Sequence, residues 1–463
     1  MFYNIITYGC QMNEYDSERL SSTIESLGYE KSDTYENAEL VVINTCTIRE
    51  KASEKMYSEI GRINLVKKEM QKNGKYMIIA ITGCVPELEK EKIFTRANYV
   101  DISIGPQSYH KLKDMILEIK KTLYVDEKSN LTKPKKTHLM DLEFNTTEKF
   151  DFLDEERKGF DGVSSYITIQ EGCDKFCTYC VVPNTRGKEV SRNPEMVLRE
   201  VEKVVSMGAR EIVFLGQNVN AYHGVDQWGK TWSLGELIRK TAENENVFRI
   251  RYTTSHPRDV SDDLIDAHKN VKKLMPYLHL PVQSGSDAIL KKMNRKYTAE
   301  SYFDVIKKFR EAVPDIVFSS DFIVGFPNET DEDAEATIEL VKRVVYQSQC
   351  FSFKYSKRPG TVANLAKDVI SDDTKSQRLY RLQKLLDEQR LSFNNSWIGK
   401  ELEVLFDRKD LSNSLQIGGR SQFMQTVIAN CKDEQEKQSY YSKIKKVRIE
   451  KVTHLAMIGV VVN

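Results

Sequence analysis

The sequence predicts an α/β protein in three parts. These are an N-terminal doubly wound parallel-sheet domain over residues 1–120, a central partial (β/α)6 barrel over 163–398 and a small C-terminal β-barrel over 399–463, with a linker over 121–162. Three observations carry this reading. At 463 residues the chain exceeds what one ordinary hydrophobic core accommodates. Up to about residue 368, short apolar runs alternate with longer helix-like stretches, as in parallel strands joined by helical crossovers. From about residue 399 the helical period gives way to short β-type runs.

In the first part the apolar runs are Phe2–Tyr8, Leu40–Ile43, Tyr76–Thr82 and Tyr99–Ile104, and Ser17–Leu27, Glu50–Met70 and Glu87–Arg96 read as the helices between them. From Lys120 to about Gly162 the chain is Lys-rich and poorly periodic, including Lys133-Pro134-Lys135-Lys136, and reads as a linker or long excursion. Six candidate strands follow: Tyr166–Gln170, Glu211–Gly216, Arg249–Thr254, Tyr277–Val282, Val317–Val324 and Phe351–Tyr355. Pro194–Met207, Leu234–Glu243, Ala299–Ala312 and Glu332–Tyr346 supply helices between them, giving six strand–helix units. A connecting helix, Thr374–Asn394, leads to the tail strands Leu402–Phe406, Gln425–Ile428, Lys446–Ile449 and Ile458–Val462, with a polar insertion at Lys432–Ser442.

The charges nearly cancel, 69 Lys plus Arg against 68 Asp plus Glu, a formal net of +1. That excludes a strongly basic nucleic-acid coat and leaves room only for a local basic patch. No apolar run approaches the roughly 20 residues needed to span a bilayer, and Met1–Cys10 lacks the basic start and long apolar stretch of a secretory signal. The expectation is a soluble, cytoplasmic protein with no membrane partner.

In such a chain ordered cysteines point to metal or catalysis rather than disulfides. Cys10, Cys46 and Cys84 each stand where an apolar strand ends and a loop begins, separated by 36 and 38 residues. In open parallel sheets those carboxyl ends share one edge, where ligands collect, so the three can converge. Three thiolates leave one iron of a 4Fe–4S cluster without a protein ligand. A single Cys at a strand end would read as a small buried hydrophobe, and it is the repetition that favours ligation. The second set, Cys173, Cys177 and Cys180, forms C-x-x-x-C-x-x-C directly after a candidate strand. Zinc would want a fourth ligand, and the closest downstream histidine is His223. A redox dithiol would leave Cys173 unused. Cys350 reads as a core residue and Cys431 as an exposed one.

The other barrel strands end in polar residues: Gln217-Asn218, Ser255-His256, Gln283-Ser284-Gly285-Ser286, Gly325 and Ser356. Barrel chemistry is carried on this face, which makes them candidates for lining a pocket. Each alone also reads as a cap for the next helix, Gly216 and Gly325 as turn residues, and His256 before Pro257 as part of a rigid loop.

The chain resembles the radical S-adenosylmethionine (SAM) enzymes, and within them the MiaB-type methylthiotransferases. The resemblance rests on Thr7-Tyr8-Gly9-Cys10-Gln11-Met12-Asn13, Asn44-Thr45-Cys46-Thr47-Ile48-Arg49-Glu50, Gly83-Cys84 and Phe176-Cys177-Thr178-Tyr179-Cys180-Val181-Val182-Pro183. It continues through Thr185-Arg186-Gly187, Leu215-Gly216-Gln217-Asn218-Val219-Asn220-Ala221-Tyr222, Thr254-Ser255-His256-Pro257, Leu280-Pro281-Val282-Gln283-Ser284-Gly285-Ser286 and Met293-Asn294-Arg295. It closes with Asp321-Phe322-Ile323-Val324-Gly325-Phe326-Pro327 and Arg358-Pro359-Gly360-Thr361, so all three parts are covered. Two departures stand out: Asn184 where an aromatic is usual, and Pro86-Glu87 where Ala-Gln is usual. The tail resembles a TRAM domain, an RNA-binding β-barrel, although it carries only 11 Lys and Arg against 8 Asp and Glu over Gly399–Asn463.

The resemblance implies two 4Fe–4S clusters and SAM as cofactors. The cluster on Cys173, Cys177 and Cys180 would bind SAM, cleaving it to methionine and a 5′-deoxyadenosyl radical, with Gln217, Asn218, Ser255 and Gln283 lining the SAM pocket. The radical would take hydrogen from carbon 2 of N6-isopentenyladenosine at position 37 of tRNA. The auxiliary cluster on Cys10, Cys46 and Cys84 would carry the sulfur, methylated by a second SAM. Implied partners are the tRNA anticodon loop and an electron donor such as flavodoxin or ferredoxin, with the protein acting as a monomer. Two other readings stay open: a sister methylthiotransferase acting on threonylcarbamoyladenosine or a ribosomal protein aspartate, and a non-catalytic iron–sulfur RNA-binding redox sensor.

Overall fold

Leu40–Thr45 and Ile78–Gly83 are buried at every position, which requires a sheet covered on both faces. The computed structural model describes residues 1–463 except 48–49, 126–130, 134–136, 144–159, 161, 368, 410, 412–414 and 463. Ile48 and Arg49 of the quoted Thr47–Glu50 segment, and Pro134–Lys136 of the Lys-rich run, thus lie outside the described residues. The strands of the first part are β1 (Phe2–Tyr8), β2 (Glu30–Lys31), β3 (Leu40–Thr45), β4 (Ile78–Gly83), β5 (Ile102–Ile104), a hairpin of β6 (Tyr124–Val125) and β7 (Leu131–Thr132), and β8 (Leu139–Asp141). Six of them form one sheet in the order β2-β1-β3-β4-β5-β8, with every pair parallel. One face packs Leu20 and Ile24 of helix Gln11–Ser26 with Leu112 and Ile116 of helix Leu112–Thr122. The other packs Met56, Ile60 and Ile63 of helix Glu50–Lys72. The fold is doubly wound, as expected.

The stretch read as a linker is in part structural. Leu139–Asp141 is the sixth strand of this sheet, parallel to β5, and Lys133 reaches Asp101 at 3.0 Å. Three residues are too few to show alternation, so no periodicity announced the strand. Asp101 is fully buried and also binds Lys67 Nζ at 2.6 Å, with Tyr76 Oη and the Ile79 N–H each donating at 2.7 Å. Burial alone would raise its carboxyl, but the charges of Lys67 and Lys133 and these donors outweigh burial and hold it below the usual carboxylate range. Its contribution is therefore present above the unfolded carboxylate range and is lost as pH falls through the depressed native value. Asp101→Asn strands two buried ammonium groups and is expected to cost about 3–5 kcal/mol at neutral pH, read as a fall in denaturation midpoint that narrows toward acid.

The second part contains β9 (Ser164–Thr168), β10 (Gln170–Glu171), β11 (Val190–Ser191), β12 (Glu211–Leu215), β13 (Arg249–Tyr252), β14 (Tyr277–His279), β15 (Val317–Ser319), β16 (Asp321–Val324) and β17 (Phe351–Lys354). Parallel pairing runs β9-β12-β13, β14-β15 and β16-β17, and bridges Ile250–Leu274 and Gln283–Phe322 join these groups. The expected fifth strand is two strands interrupted at Ser320, whose Oγ accepts from the Val282 N–H at 2.9 Å. No pairing closes β17 onto β9 among the described residues, so this is a partial (β/α)6 barrel. The helices Asp262–Asn270 and Asp287–Lys292 were not anticipated. Each follows a serine whose side chain accepts from the first helical turn, Ser261 and Ser286.

Helix Asp372–Asn395 leads into β18 (Glu401–Arg408), β19 (Gln416–Ser421), β20 (Thr426–Asn430), β21 (Ile444–Val452) and β22 (Met457–Val462), closed in the order β18-β19-β20-β22-β21. Strand β19, with Gly418-Gly419 at its centre, was not among the expected strands, and the polar insertion holds helix Glu434–Tyr440. Cys431 is not exposed: it is buried with Phe406 and Tyr440 in the core of this barrel. Cys350 is a core residue, as expected. The small barrel is clasped to the amino ends of the central strands. Arg249 donates to the carbonyls of Arg420 and Glu403 at 2.6 and 2.9 Å, and Arg251 to that of Ser421 at 2.8 Å.

Candidate functional site

Strand register brings the first three cysteines to one edge. Tyr8 lies opposite Thr45, and Thr45 opposite Gly83, so the chains leave β1, β3 and β4 side by side into Cys10, Cys46 and Cys84. Cys10 caps helix Gln11–Ser26, with the Asn13 side chain accepting from its N–H at 3.3 Å. Asn13 then donates to Asn44 Oδ1 at 2.8 Å, and Asn44 donates back to the Asn13 carbonyl at 2.9 Å, which locks the first loop to the second. Gly83 has φ +92°, and a Cβ there would stand 2.2 Å from the Thr45 carbonyl oxygen, so only glycine lets the third loop close onto the second. The Cys10 thiol is drawn down to about 6, first by its hydrogen bond with Cys46 and against its burial, with the Arg186 charge helping. Burial raises the Cys84 thiol, and Arg186 opposes this.

The second set hangs on a loop between β10 and β11 that the rest of the barrel face fastens. Gly172, at φ +73°, lies so close to Lys188 that a Cβ would overlap its carbonyl. The Cys173 N–H donates to the Gly187 carbonyl at 3.2 Å, and the Thr178 N–H to that of Met293 at 3.1 Å. Asn294 donates to the Phe176 carbonyl at 3.0 Å. Arg295 donates to Cys177 Sγ at 3.3 Å and to the Pro281 carbonyl at 3.0 Å, and the Val182 N–H donates to Cys180 Sγ at 3.5 Å. Burial pushes the Cys173 and Cys180 thiols up to about 11 and about 12, and the neighbouring sulfurs add to this.

The four candidates for a SAM pocket differ in what they do. Gln217 turns its Oε1 to the Gly172 N–H at 2.6 Å and supports the cysteine loop. Asn218 donates to Asp259 at 2.8 Å, while its Oδ1 is buried without a hydrogen-bond partner, as is Ser255 Oγ. Gln283 is buried at the end of the fourth strand unit, with φ +73°. His256 is held neutral, its value lowered to about 2 first by burial and then by Arg295, Lys175 and Arg258. Of the departures, Asn184 donates to the Gly360 carbonyl at 3.0 Å. Glu87 is buried and its carboxyl pushed up to about 8, chiefly by burial.

Between the two sets stands a residue that sequence reasoning quoted but gave no role. Arg186, 3% exposed, donates to Asp16 at 2.8 Å in the helix after Cys10 and to Glu171 at 3.3 Å just before Cys173. Only a fold that closes residues 16 and 186 together reveals this, and no local pattern signals it. A cavity of about 590 Å³ opens beside Cys46, lined by Val85, Leu88, Lys92, Arg96, Lys357, Arg358 and Pro359 among others. Arg358 also donates to the Thr47 carbonyl.

The donor chemistry fits two iron–sulfur groups. Among the described residues no three His, Cys, Asp or Glu side chains are gathered closely enough for a single metal ion. Crowded, half-buried thiols such as Cys173 and Cys180 resist deprotonation until a cationic centre takes the charge. The buried orphans Asn218 Oδ1 and Ser255 Oγ suit a polar ligand beside that loop.

A family model described as "Radical SAM superfamily" matches residues 167–341, and one described as "Uncharacterized protein family UPF0004" matches residues 3–105. A radical S-adenosylmethionine methyltransferase, TsrM from Kitasatospora setae, solved with tryptophan and a SAM analogue, shares the fold at a TM-score of 0.55 and 14% identity, over 78% of this chain and 75% of that one. The tRNA-2-methylthio-N(6)-dimethylallyladenosine synthase of Rickettsia bellii (strain OSU 85-389) is 52% identical over 91% of this chain and 92% of its own length. That of Rickettsia canadensis (strain McKiel) is 51% identical over 98% of each. This chain belongs to the tRNA-2-methylthio-N(6)-dimethylallyladenosine synthase family.

Proposed function

We propose that the chain adds a methylthio group to carbon 2 of N6-dimethylallyladenosine (isopentenyladenosine) at position 37 of tRNA. The observation that carries this reading is the pair of three-cysteine sites, one on each domain, meeting across Arg186. Cys173, Cys177 and Cys180 would hold the cluster that binds SAM, and Cys10, Cys46 and Cys84 the auxiliary one. When bound, these groups supply one-electron cleavage of SAM, radical removal of an inert aromatic hydrogen and a sulfur to replace it, chemistry beyond the reach of acid–base side chains.

The chain's own part is to bind, orient and shield. Gln217, Asn294 and Arg295 fix the second cysteine loop, and Asn218 Oδ1 and Ser255 Oγ, both buried without a partner, would take polar groups of SAM, with Gln283 as a further candidate. The apolar wall of Val85, Leu88 and Pro359 beside Cys46, with its cationic rim, suits an RNA segment carrying an apolar base substituent. The small barrel sits at the opposite ends of the central strands, and four- or five-residue strands span about 13–17 Å, so one RNA would touch both ends only along an extended face. An anticodon loop meets that demand and presents its base unstacked. A flavodoxin- or ferredoxin-type donor, a monomeric state and a cytoplasmic setting complete the proposal. No helix of the described residues is long and apolar enough to cross a membrane.

The test is anaerobically reconstituted protein with SAM, a low-potential reductant and tRNA bearing dimethylallyladenosine, followed by nucleoside mass spectrometry. The expected products are 5′-deoxyadenosine and the 2-methylthio nucleoside. Product on threonylcarbamoyladenosine instead, or none on either tRNA, overturns the assignment. In the same assay Lys92 and Lys357, neither of which is ion-paired among the described residues, are expected to act as phosphate contacts. The double change Lys92→Glu, Lys357→Glu should weaken tRNA binding about tenfold or more and flatten its salt dependence by about one to two ions. Unchanged affinity would remove the cavity from the RNA path.

A further inference from the structure

We infer that Arg186 is a positioning residue shared by the two cysteine sites. Its own carbonyl ties it to the first domain while the adjoining Gly187 holds the Cys173 loop, and its guanidinium sets the charge felt by the group on Cys10, Cys46 and Cys84, and with it that group's reduction potential. The inference rests on the proposed reading that those thiols ligate a cluster.

Three observations support it. The first is the main chain. The Gly187 carbonyl accepts from the Cys173 N–H at 3.2 Å, while the Arg186 carbonyl accepts from Gln107 of the first domain at 2.9 Å. The second is the clamp on the side chain. Asp16 and Glu171, both with fully buried side chains, hold the two ends of the guanidinium, and Gln107 also donates to Glu171 at 3.0 Å. The third is the neighbourhood. The short helix Cys84–Glu89 packs against the helix Val182–Thr185 that Arg186 ends, and Arg186 pairs with Asp16 of the helix that Cys10 caps, so the guanidinium stands beside the early cysteines. A cation excluded from water is screened little by salt, so its field at the sulfurs is strong. Reduction adds one negative charge to the ligated group, and a fixed positive charge beside it favours the reduced form.

The experiment uses the full chain with Cys173, Cys177 and Cys180 replaced by Ala, reconstituted anaerobically with iron and sulfide, so that only the early site is loaded. A redox titration followed by electron paramagnetic resonance reads its midpoint. The titrant supplies one electron, and no proton or group is transferred. Arg186→Gln is expected to lower the ratio of reduced to oxidised group at fixed potential about tenfold, a midpoint about 59 mV more negative. Asp16→Asn, which leaves the guanidinium less neutralised, is expected to shift the midpoint in the opposite direction, and Arg186→Lys to stay near the parent. Lost packing carries no charge sign, so equal midpoints, or shifts of one sign in both the Gln and Asn variants, overturn the inference. Should Arg186→Gln fail to fold, the Asp16→Asn and Arg186→Lys pair still decides. A parent protein with no cluster would show instead that the ligand reading itself is wrong, and the inference would fall with it.

Discussion

Cys177→Ser is expected to abolish both 5′-deoxyadenosine formation and methylthio product, while the protein stays folded and keeps roughly four of about eight iron atoms. The direction follows from the loop's construction. Cys177 is the middle thiol of the set, and its sulfur accepts from the Arg295 guanidinium. Arg295 is itself tied to the Pro281 carbonyl and to Tyr297 Oη at 2.8 Å. A hydroxyl in place of the thiol keeps a hydrogen-bond acceptor for Arg295, so the loop's fastenings at Gly172, Thr178 and Asn294 survive. What is lost is a soft ligand for iron. Iron and sulfide counts, electron paramagnetic resonance and the yield of 5′-deoxyadenosine check the three parts separately. Full SAM cleavage by this variant would show that the loop does not hold the SAM-cleaving cluster. A Cys177→Ser protein that cleaves nothing while a Cys46→Ala protein does would dispose of the redox-sensor reading, in which neither should cleave SAM.

The legible part of this protein was the part written locally. Strands such as Val41–Ile43 and Ile78–Ile81 are continuous apolar runs because both sheet faces are covered, and their ends announce where cysteines can meet. The C-x-x-x-C-x-x-C spacing is local in the same sense. What escaped was set by distant partners or by brevity. Leu139–Asp141 became a strand because β5 offered it an edge, and Gln416–Ser421 became one, despite Gly418-Gly419 at its centre, because β18 and β20 flank it. Gln217 stood at the right strand end, but its side chain serves the Gly172 N–H, a choice that strand position alone does not make. Arg186 needed two domains in place before its partners existed. The early domain does not merely precede the barrel: Val213 and Leu215 of β12 lie in the same apolar cluster as Tyr3 and Leu40, so both cysteine sites sit on one continuous packed body.

That continuity is why separate loss of the two activities is the most demanding expectation. Cys46→Ala should leave 5′-deoxyadenosine formation within about twofold of the parent, since changes at separate sites add nearly independently, and should drop methylthio product to background. Cys46 is nearly fully buried, and its N–H donates to the Tyr8 carbonyl at 2.8 Å, a bond that alanine keeps. The Cys10 thiol loses the hydrogen bond that draws it down, so the site loses a ligand and the readiness of a second thiol together. The link between the sites runs through Arg186, which pairs with Asp16 in the helix after Cys10 and with Glu171 just before Cys173. Mass spectrometry of nucleosides beside quantified 5′-deoxyadenosine reads the two outputs from one reaction. Product formed at the parental rate would mean that sulfur does not come from the early site. Both outputs lost with the fold intact would mean that the early site supports SAM cleavage as well, and the division of labour between the two sites would have to be abandoned.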